Sequence, residues 1–178
     1  ERQDPFLRTH PLSKARMDII KQKTSSADNY NESKFDKVSY ERIKAKLEGF
    51  LENPGRTLLN NKDNSISSRY ARAIAYFRVP LFKKSIKEVN SLLKDYPNDP
   101  YFIELKAQIL SENGKIKEAI KYYKESLKII PNSTLIMLPL SSLLLEDSKN
   151  LKDIKEANNY LNFIVKKEPE NILAWHLK

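Results

Sequence analysis

The spacing of two prolines, Pro97 in KDYPNDP and Pro131 in KIIPNST, sets the strongest constraint on the fold. Between them, the sequence predicts two helices, at about 100–113 and 116–130. Gly114 separates the helices and supplies the left-handed turn that favours a helix C-terminus. Pro131 ends the second helix, since the residue before a proline is disfavoured in α geometry. Apolar residues recur at helical spacing along the inward sides of both helices; they are Ile103, Ala107 and Leu110, then Ala119, Tyr123 and Leu127.

The same pair of helices recurs on both sides of this segment. Upstream, residues 69–79 and 82–95 form a pair that ends at Pro97, with Ser85 in the place of the small Ala119. Downstream, residues 134–146 and 152–167 form a pair that ends at Pro169. The step from Pro131 to Pro169 is longer than the step before it, which predicts about four extra residues in the turn around 148–153. After Pro169, Trp175 falls where a fourth repeat would place its aromatic residue, which predicts the start of a further helix.

The step from Pro97 to Pro131 matches the period of about 34 residues that is typical of tetratricopeptide repeats, each a helix–turn–helix unit. We therefore predict an all-α fold, a tetratricopeptide-repeat superhelix of antiparallel helix pairs with about three repeats and a partial fourth. The repeat domain is predicted to span residues 67–178.

Residues 1–66 lack the repeat and are predicted to be a helical extension. One helix is expected from Ser13, which can act as its N-cap, to about Lys23. A second helix is expected over about 33–52 and to end at Asn53-Pro54-Gly55. We expect this helix to cap the exposed face of the first repeat, as the ends of repeat arrays require. Five of its apolar residues lie roughly on one face; these are Phe35, Val38, Ile43, Leu47 and Phe50.

The sequence does not contain the residues of a complete catalytic site. It has no cysteine and three glycines, and its two histidines, His10 and His176, lie far apart. No HExxH zinc motif, phosphate-binding glycine loop or nucleophile elbow is present. No catalytic residue, metal site or cofactor is therefore predicted within this chain. No apolar run approaches the length that spans a bilayer, so no membrane span is expected.

The net charge of +9 is spread along the chain. Residues 1–60 hold 12 basic and 9 acidic side chains, and residues 61–178 hold 20 and 14. An even spread favours solvated helix faces over a nucleic-acid or acidic-membrane patch. No nucleic-acid partner is expected.

Stacked helix pairs of this kind form a concave surface from their first helices. The repeat phase predicts nine groove-facing positions, and they are strongly apolar at both ends. Such a surface on a soluble domain indicates a protein or peptide partner, either a helix or an extended segment. The predicted groove consists of Tyr70, Ile74, Phe77, Tyr101, Glu104, Gln108, Leu135, Leu138 and Leu145. The alternative is a phase shifted by one residue, which would make some of these positions part of the core.

One segment resembles a known family. The string from Asp4 to Arg16, DPFLRTHPLSKAR, is similar to the segment that follows the catalytic core of BepA-like (YfgC-like) bacterial zinc metallopeptidases, relatives of HtpX and CAAX proteases. Three further stretches are also similar to that family: YERIKAKLEGF at 40–50, RYARA at 69–73 and NDPYFIELK at 98–106.

The resemblance implies the C-terminal domain of a longer peptidase, and the chain's lack of a starting methionine fits a fragment. The parent would be a zinc endopeptidase of the periplasm or cell envelope, and this domain would bind clients, partners or its own peptidase domain. In that parent, His10 would regulate access to the zinc. The zinc ligands and catalytic glutamate of the family are absent here, so this part is expected to be inactive.

Two alternatives remain open. The chain can be a stand-alone tetratricopeptide scaffold in secretion or pilus assembly, in the cytoplasm if the resemblance is misleading. It can also be a basic repeat protein that binds RNA, which predicts a steep salt dependence. The client and the oligomeric state are not predicted.

Overall fold

Every regular secondary-structure element in the described part of the chain is a helix. The computed structural model describes residues 13–25, 34–147 and 150–178, and within these ranges no β-strand is present. The helices, in chain order, are α1 (Ser13–Ser25), α2 (Lys34–Leu51), α3 (Pro54–Asn60), α4 (Ile66–Arg78), α5 (Phe82–Asp95), α6 (Pro100–Glu112), α7 (Ile116–Ile129), α8 (Thr134–Glu146), α9 (Leu151–Lys167) and α10 (Ile172–Leu177).

Helices α4 to α9 form three consecutive pairs, α4–α5, α6–α7 and α8–α9, and α10 begins a fourth. Each pair packs closely, and each second helix also packs on the first helix of the next pair. The predicted tetratricopeptide superhelix is therefore confirmed.

Local signals set the ends of the central pair. Asp99 caps α6, its carboxylate accepting hydrogen bonds from the backbone N–H of Tyr101 (3.1 Å) and of Phe102 (3.2 Å). At the other end, Gly114 has a φ of 71°. There, the N–H of Lys115 donates to the carbonyl of Leu110, which is the bond of a Schellman cap.

Small residues let the paired helices approach each other. Ala119, Ala157 and Ser85 stand at equivalent positions of the second helices, and all three are fully buried. The Ser85 hydroxyl donates a 2.7 Å hydrogen bond to the carbonyl of Ala73 on α4. A serine therefore replaces the small alanine without leaving a buried polar group unpaired.

Buried side chains form two hydrophobic clusters. One lies between α6, α7, α8, α9 and α10 and includes Leu140, Leu161 and Ile164. The other lies between α2, α4, α5 and α6 and includes Leu92 and Phe102. The partly buried Phe82 and Ile86 pack against both clusters, so the core continues from one pair to the next.

The extension differs from its prediction in one element. The second predicted helix ends as expected, at Leu51, but a short helix, α3, begins at Pro54. The Asn53 side chain caps it by accepting from the N–H of Gly55 at 2.9 Å, and Pro54 fits the first helical position, where no N–H is needed. The sequence NPG thus predicts both the end of one helix and, as an N-cap followed by proline, the start of the next.

The chain divides into two units, Glu1–Ser39 and Tyr40–Lys178. The first contains α1, which begins at Ser13 as predicted. The second contains most of α2 and all later helices, and every interaction discussed below lies within it. Within the described ranges, none of the helices has both the length and the apolar character that crossing a bilayer requires.

Candidate partner-binding groove

The first helices of the pairs share a face that is turned away from their second helices. On α4, Arg72 forms an ion pair with Glu88 of α5, while Ile74 contacts α2. On α8, the buried side is continuous, and the opposite side carries Leu135, Leu138 and Pro139. We call this shared face of α4, α6 and α8 the inner wall; it corresponds to the predicted groove.

The C-terminal part of α2 lies on the inner wall over α4 and α6. A Cβ added at Gly49 would stand only 2.8 Å from the Cβ of Ile74, so the backbone of α2 touches this side chain. Ala45, one turn earlier on the same face, is 3% exposed. Arg78 of α4 donates to the carbonyls of Gly49 and Glu52 near the end of α2. Small residues therefore allow α2 to approach closely, as at other tight helix contacts.

Two basic residues of α2 contact α6. Arg42 forms an ion pair with Asp99 at the N-terminus of α6, and its guanidinium lies 4.7 Å from the ring centroid of Phe102. Lys46 lies 3.8 Å from the carboxylate of Glu104 and 5.7 Å from the ring centroid of Tyr101. Both residues make ion-pair and cation–π contacts, and both are half-buried, which strengthens these contacts relative to surface pairs.

Burial acts on the titrating groups under α2. It raises the pKa of the Glu104 carboxyl above its ordinary value of 4.5, and the Lys46 ammonium partly opposes this rise. Burial also raises the pKa of the Tyr70 phenol, and the negative charge of Glu104 raises that pKa further. The carboxylate of Glu104 is thus mostly shielded from solvent, with 20% of its side chain exposed.

The predicted groove residues of α4 are not open to a partner. Tyr70 and Ile74 are 2% and 0% exposed, and Phe77 is partly buried and packs against the hydrophobic cluster of α2, α4, α5 and α6. The expectation that Tyr70 and Ile74 line an open groove is therefore corrected, because α2 covers the inner wall at this point. A cap by this helix was predicted, but not that it covers Tyr70 and Ile74, because the phase of a repeat does not show which of its positions a neighbouring helix contacts.

The predicted groove residues of α6 are at the edge of this cover. Tyr101 remains 49% exposed beside Lys46. Glu104 is largely enclosed, with 20% of its side chain exposed, and Gln108, one turn further along, is half-buried.

The predicted groove residues of α8 lie beyond α2. Leu135 is 77% exposed, whereas Leu138 and Leu145 are partly buried and pack against the core. Leu173 of α10 stands in the same place after Pro169 as Leu135 does after Pro131, and it is 63% exposed. Leu173 was missed, although the same step in the sequence could have identified it.

In the second unit, most of the apolar face predicted for α2 points to solvent instead of to the repeats. Ile43 and Leu47 are both more than half exposed, and Phe50 packs on the core. The packed face instead carries Arg42, Ala45, Lys46 and Gly49. Helix α2 thus packs on the first repeat, but without Ile43 and Leu47, because close approach and ion pairing determine its docking face.

The other two residues of that predicted face belong to the first unit. Val38 is 46% exposed. The side chain of Phe35 lies outside what the structure describes.

His10 also lies outside the described residues. His176 is exposed on α10. Among the residues that the structure describes, no three histidine, aspartate or glutamate side chains stand together as metal ligands would.

Comparison with known proteins supports the fold. The chain is similar to a solved structure titled "MamA MSR-1 C2", with a TM-score of 0.54 and 15% sequence identity, over 75% of this chain and 78% of that one. At this identity the likeness shows a tetratricopeptide-type helical repeat fold and nothing of function. No protein-family model and no curated protein matches the sequence.

Proposed function

We propose that the repeat unit is a protein-interaction scaffold whose inner wall binds a helix or an extended segment of another protein. The observation that supports this most directly is the position of α2. It lies along α4 and α6 and makes ion-pair, cation–π and close backbone contacts with them. The same face that receives a helix of this chain continues onto α8.

The open part of the wall has the chemistry of a helix-binding groove. Leu135 and Leu173 are exposed, and Leu138 and Pro139 are half-buried. On α8, the first charged side chain is that of Glu146 at the end of the helix. A contiguous apolar surface bordered by polar groups is typical of interaction sites. The partner that fits it is a segment with apolar side chains at helical spacing.

A partner's C-terminal carboxylate is a poor fit. Repeat proteins that bind this group place lysine and asparagine on the groove positions that here hold Tyr70, Ile74, Glu104 and Gln108. Glu104 would repel a carboxylate, and its site is already closed by Lys46. We therefore assign recognition to apolar side chains.

Site-specific photo-crosslinking in the native host tests this function. Benzoylphenylalanine at Leu135 should give a discrete protein adduct, and the same probe at Leu151 should not, although Leu151 is 64% exposed on α9. Leu173→Asp should weaken the Leu135 adduct, whereas Leu59→Asp, at a 67% exposed site on α3, should not. Identical adducts from positions 135 and 151 would contradict a partner-binding groove.

We further propose that the chain belongs to a BepA-like zinc metallopeptidase of the bacterial envelope. Only the similarity of the Asp4–Arg16 segment and the shorter stretches supports this, and His10 would then act near the zinc of the parent. The reading frame in the genome tests it, because it should encode HExxH ahead of Glu1. A frame without a peptidase would favour a stand-alone scaffold in secretion or pilus assembly.

A further inference from the structure

Exposed lysines recur at the same places on the second helices α5, α7 and α9. Three positions of each helix are involved. Each position lies at the same distance in sequence before Pro97 on α5, before Pro131 on α7 and before Pro169 on α9. Eight of the nine places hold lysine, and the ninth holds Asn159. We call these eight residues the lysine face; they are Lys83, Lys87, Lys94, Lys117, Lys121, Lys128, Lys155 and Lys166.

The three positions lie on one side of each helix. On α7, Lys121 follows Lys117 by about one helical turn, and Lys128 follows Lys121 by about two. Ala119 and Tyr123 on the opposite side are buried. The lysine face therefore points away from the core and also away from the inner wall.

Acidic side chains do not neutralise this face. Four of the six acidic residues on these helices form ion pairs with basic residues outside the lysine face; the pairs are Glu88 with Arg72, Asp95 with Arg69, Glu118 with Lys115 and Glu156 with Lys124. Asp153 exchanges hydrogen bonds with Asn150 at the start of α9, and Glu125 is half-buried. Within the described ranges, none of the eight lysines forms an ion pair.

We propose that the lysine face binds the surface of a bilayer that carries anionic lipid headgroups. Each lysine near such a surface adds roughly fivefold to the affinity, so eight of them on three successive second helices provide substantial attraction. The bilayer surface is a diffuse layer of charge, and lysine, a point charge on a flexible stem, suits it.

A nucleic acid fits the lysine face less well. Helices α5, α7 and α9 contain no arginine, the residue that pairs with phosphates in a bidentate manner. On α5 and α7, the aromatic side chains Phe82, Tyr122 and Tyr123 are buried or half-buried, so they offer bases little surface for stacking. These two features favour a lipid surface over RNA or DNA as the polyanion.

Vesicle binding by the full chain tests the proposal. At low ionic strength, vesicles of phosphatidylcholine with about 30% phosphatidylglycerol should bind the protein, whereas pure phosphatidylcholine should not, and added salt should release it. The triple variant Lys87→Gln, Lys117→Gln, Lys128→Gln should bind roughly 100-fold more weakly, at about fivefold per lysine.

A second triple variant controls for net charge. Lys44→Gln, Lys62→Gln, Lys178→Gln removes three exposed lysines outside the second helices. It should retain most of the affinity. Circular dichroism should show unchanged helicity in both variants.

Three results would overturn the proposal. The first is no binding to anionic vesicles at low salt, which would mean that the lysines form only a solvated face. The second is an equal loss of affinity in both triple variants. The third is tighter binding to a short single-stranded RNA than to the vesicles. Because the inner wall is on the other side of the helix pairs, none of these results depends on the crosslinks from Leu135.

Discussion

Gly49 determines how closely α2 approaches the inner wall. Its missing side chain leaves room for Ile74, whose Cβ, Cγ2 and Cδ1 atoms would all lie within 3.1 Å of an added Cβ. Glycine in a helix interior costs about 1 kcal/mol relative to alanine. The close contact with Ile74 explains why a glycine stands at position 49 in spite of this cost.

Gly49→Leu should therefore destabilise the protein. The larger side chain cannot fit against the branched carbons of Ile74, and overpacking of this kind typically costs about 1–3 kcal/mol. Lys44→Leu adds the same side chain on the exposed side of α2 and should stay within about 0.5 kcal/mol of the wild type. Urea unfolding of both variants measures the difference, and equal stabilities would show that α2 does not touch Ile74.

Glu104 makes stability depend on pH. Because burial raises its pKa above 4.5, the folded protein binds this proton more tightly than the unfolded chain does. The free energy of unfolding should consequently fall as the pH rises above 4.5 and through the folded pKa.

Glu104→Gln should remove this part of the pH dependence, because glutamine does not titrate. Unfolding by urea between about pH 4 and 7 should show a shallower decline for the variant than for the wild type. Glu112→Gln, an exposed site at the end of the same helix, serves as the control and should follow the wild type. A variant curve parallel to the wild-type curve would mean that Glu104 is solvated.

Helix α2 shows at the scale of one element what the sequence could predict and what it could not. Its existence and its end followed from apolar spacing and from Asn53-Pro54-Gly55. Its docked face did not, because Ile43 and Leu47 carried the stronger hydrophobic signal. Ala45 and Gly49, one turn apart, carried the signal for close approach, which becomes visible only when a facing helix is known.

The contacts of Arg42 and Lys46 should hold α2 on the wall. Replacing both with alanine removes two half-buried ion pairs and two cation–π contacts, which should raise the exchange rate of the α2 amides at 42–51 by about tenfold or more. Lys44→Ala is the matched change on the exposed side. Hydrogen exchange measured by mass spectrometry would contradict this docking if α2 exchanged equally in both variants.

The second unit is an array of helix pairs with two linked cores. Repeat arrays gain stability from each pair and from its neighbours, so distant parts respond separately to a local defect. Leu161 is 1% exposed in the cluster around α8 and α9, and Leu92 is 0% exposed in the cluster around α4 and α5.

Leu161→Ala and Leu92→Ala should each destabilise the protein by about 2–5 kcal/mol, and each is the control for the other. Leu161→Ala should raise hydrogen exchange mainly in α8–α10, and Leu92→Ala mainly in α4 and α5. A uniform increase over all helices in both variants would indicate a single cooperative core instead.

At this scale, the proline-marked step predicted the pairs and their order because each pair repeats the same local signals. It also placed Leu135 and Leu138 of the candidate site on one face. It could not reveal that Tyr70 and Ile74 are covered, since that depends on a helix outside the repeat. Leu173 lies where one further step along the chain would have placed it.

Docking of α2 on the inner wall, with α8 left open, is the central structural claim, and a methyl NOE spectrum tests it most directly. With Ile74 labelled at its δ1 methyl group, a cross-peak to the α protons of Gly49 is expected, because the two residues are in van der Waals contact. The Leu135 methyl groups should show no cross-peak to any proton of residues 40–51. Absence of the Ile74–Gly49 peak, or its replacement by one from Leu135 to α2, would contradict this arrangement.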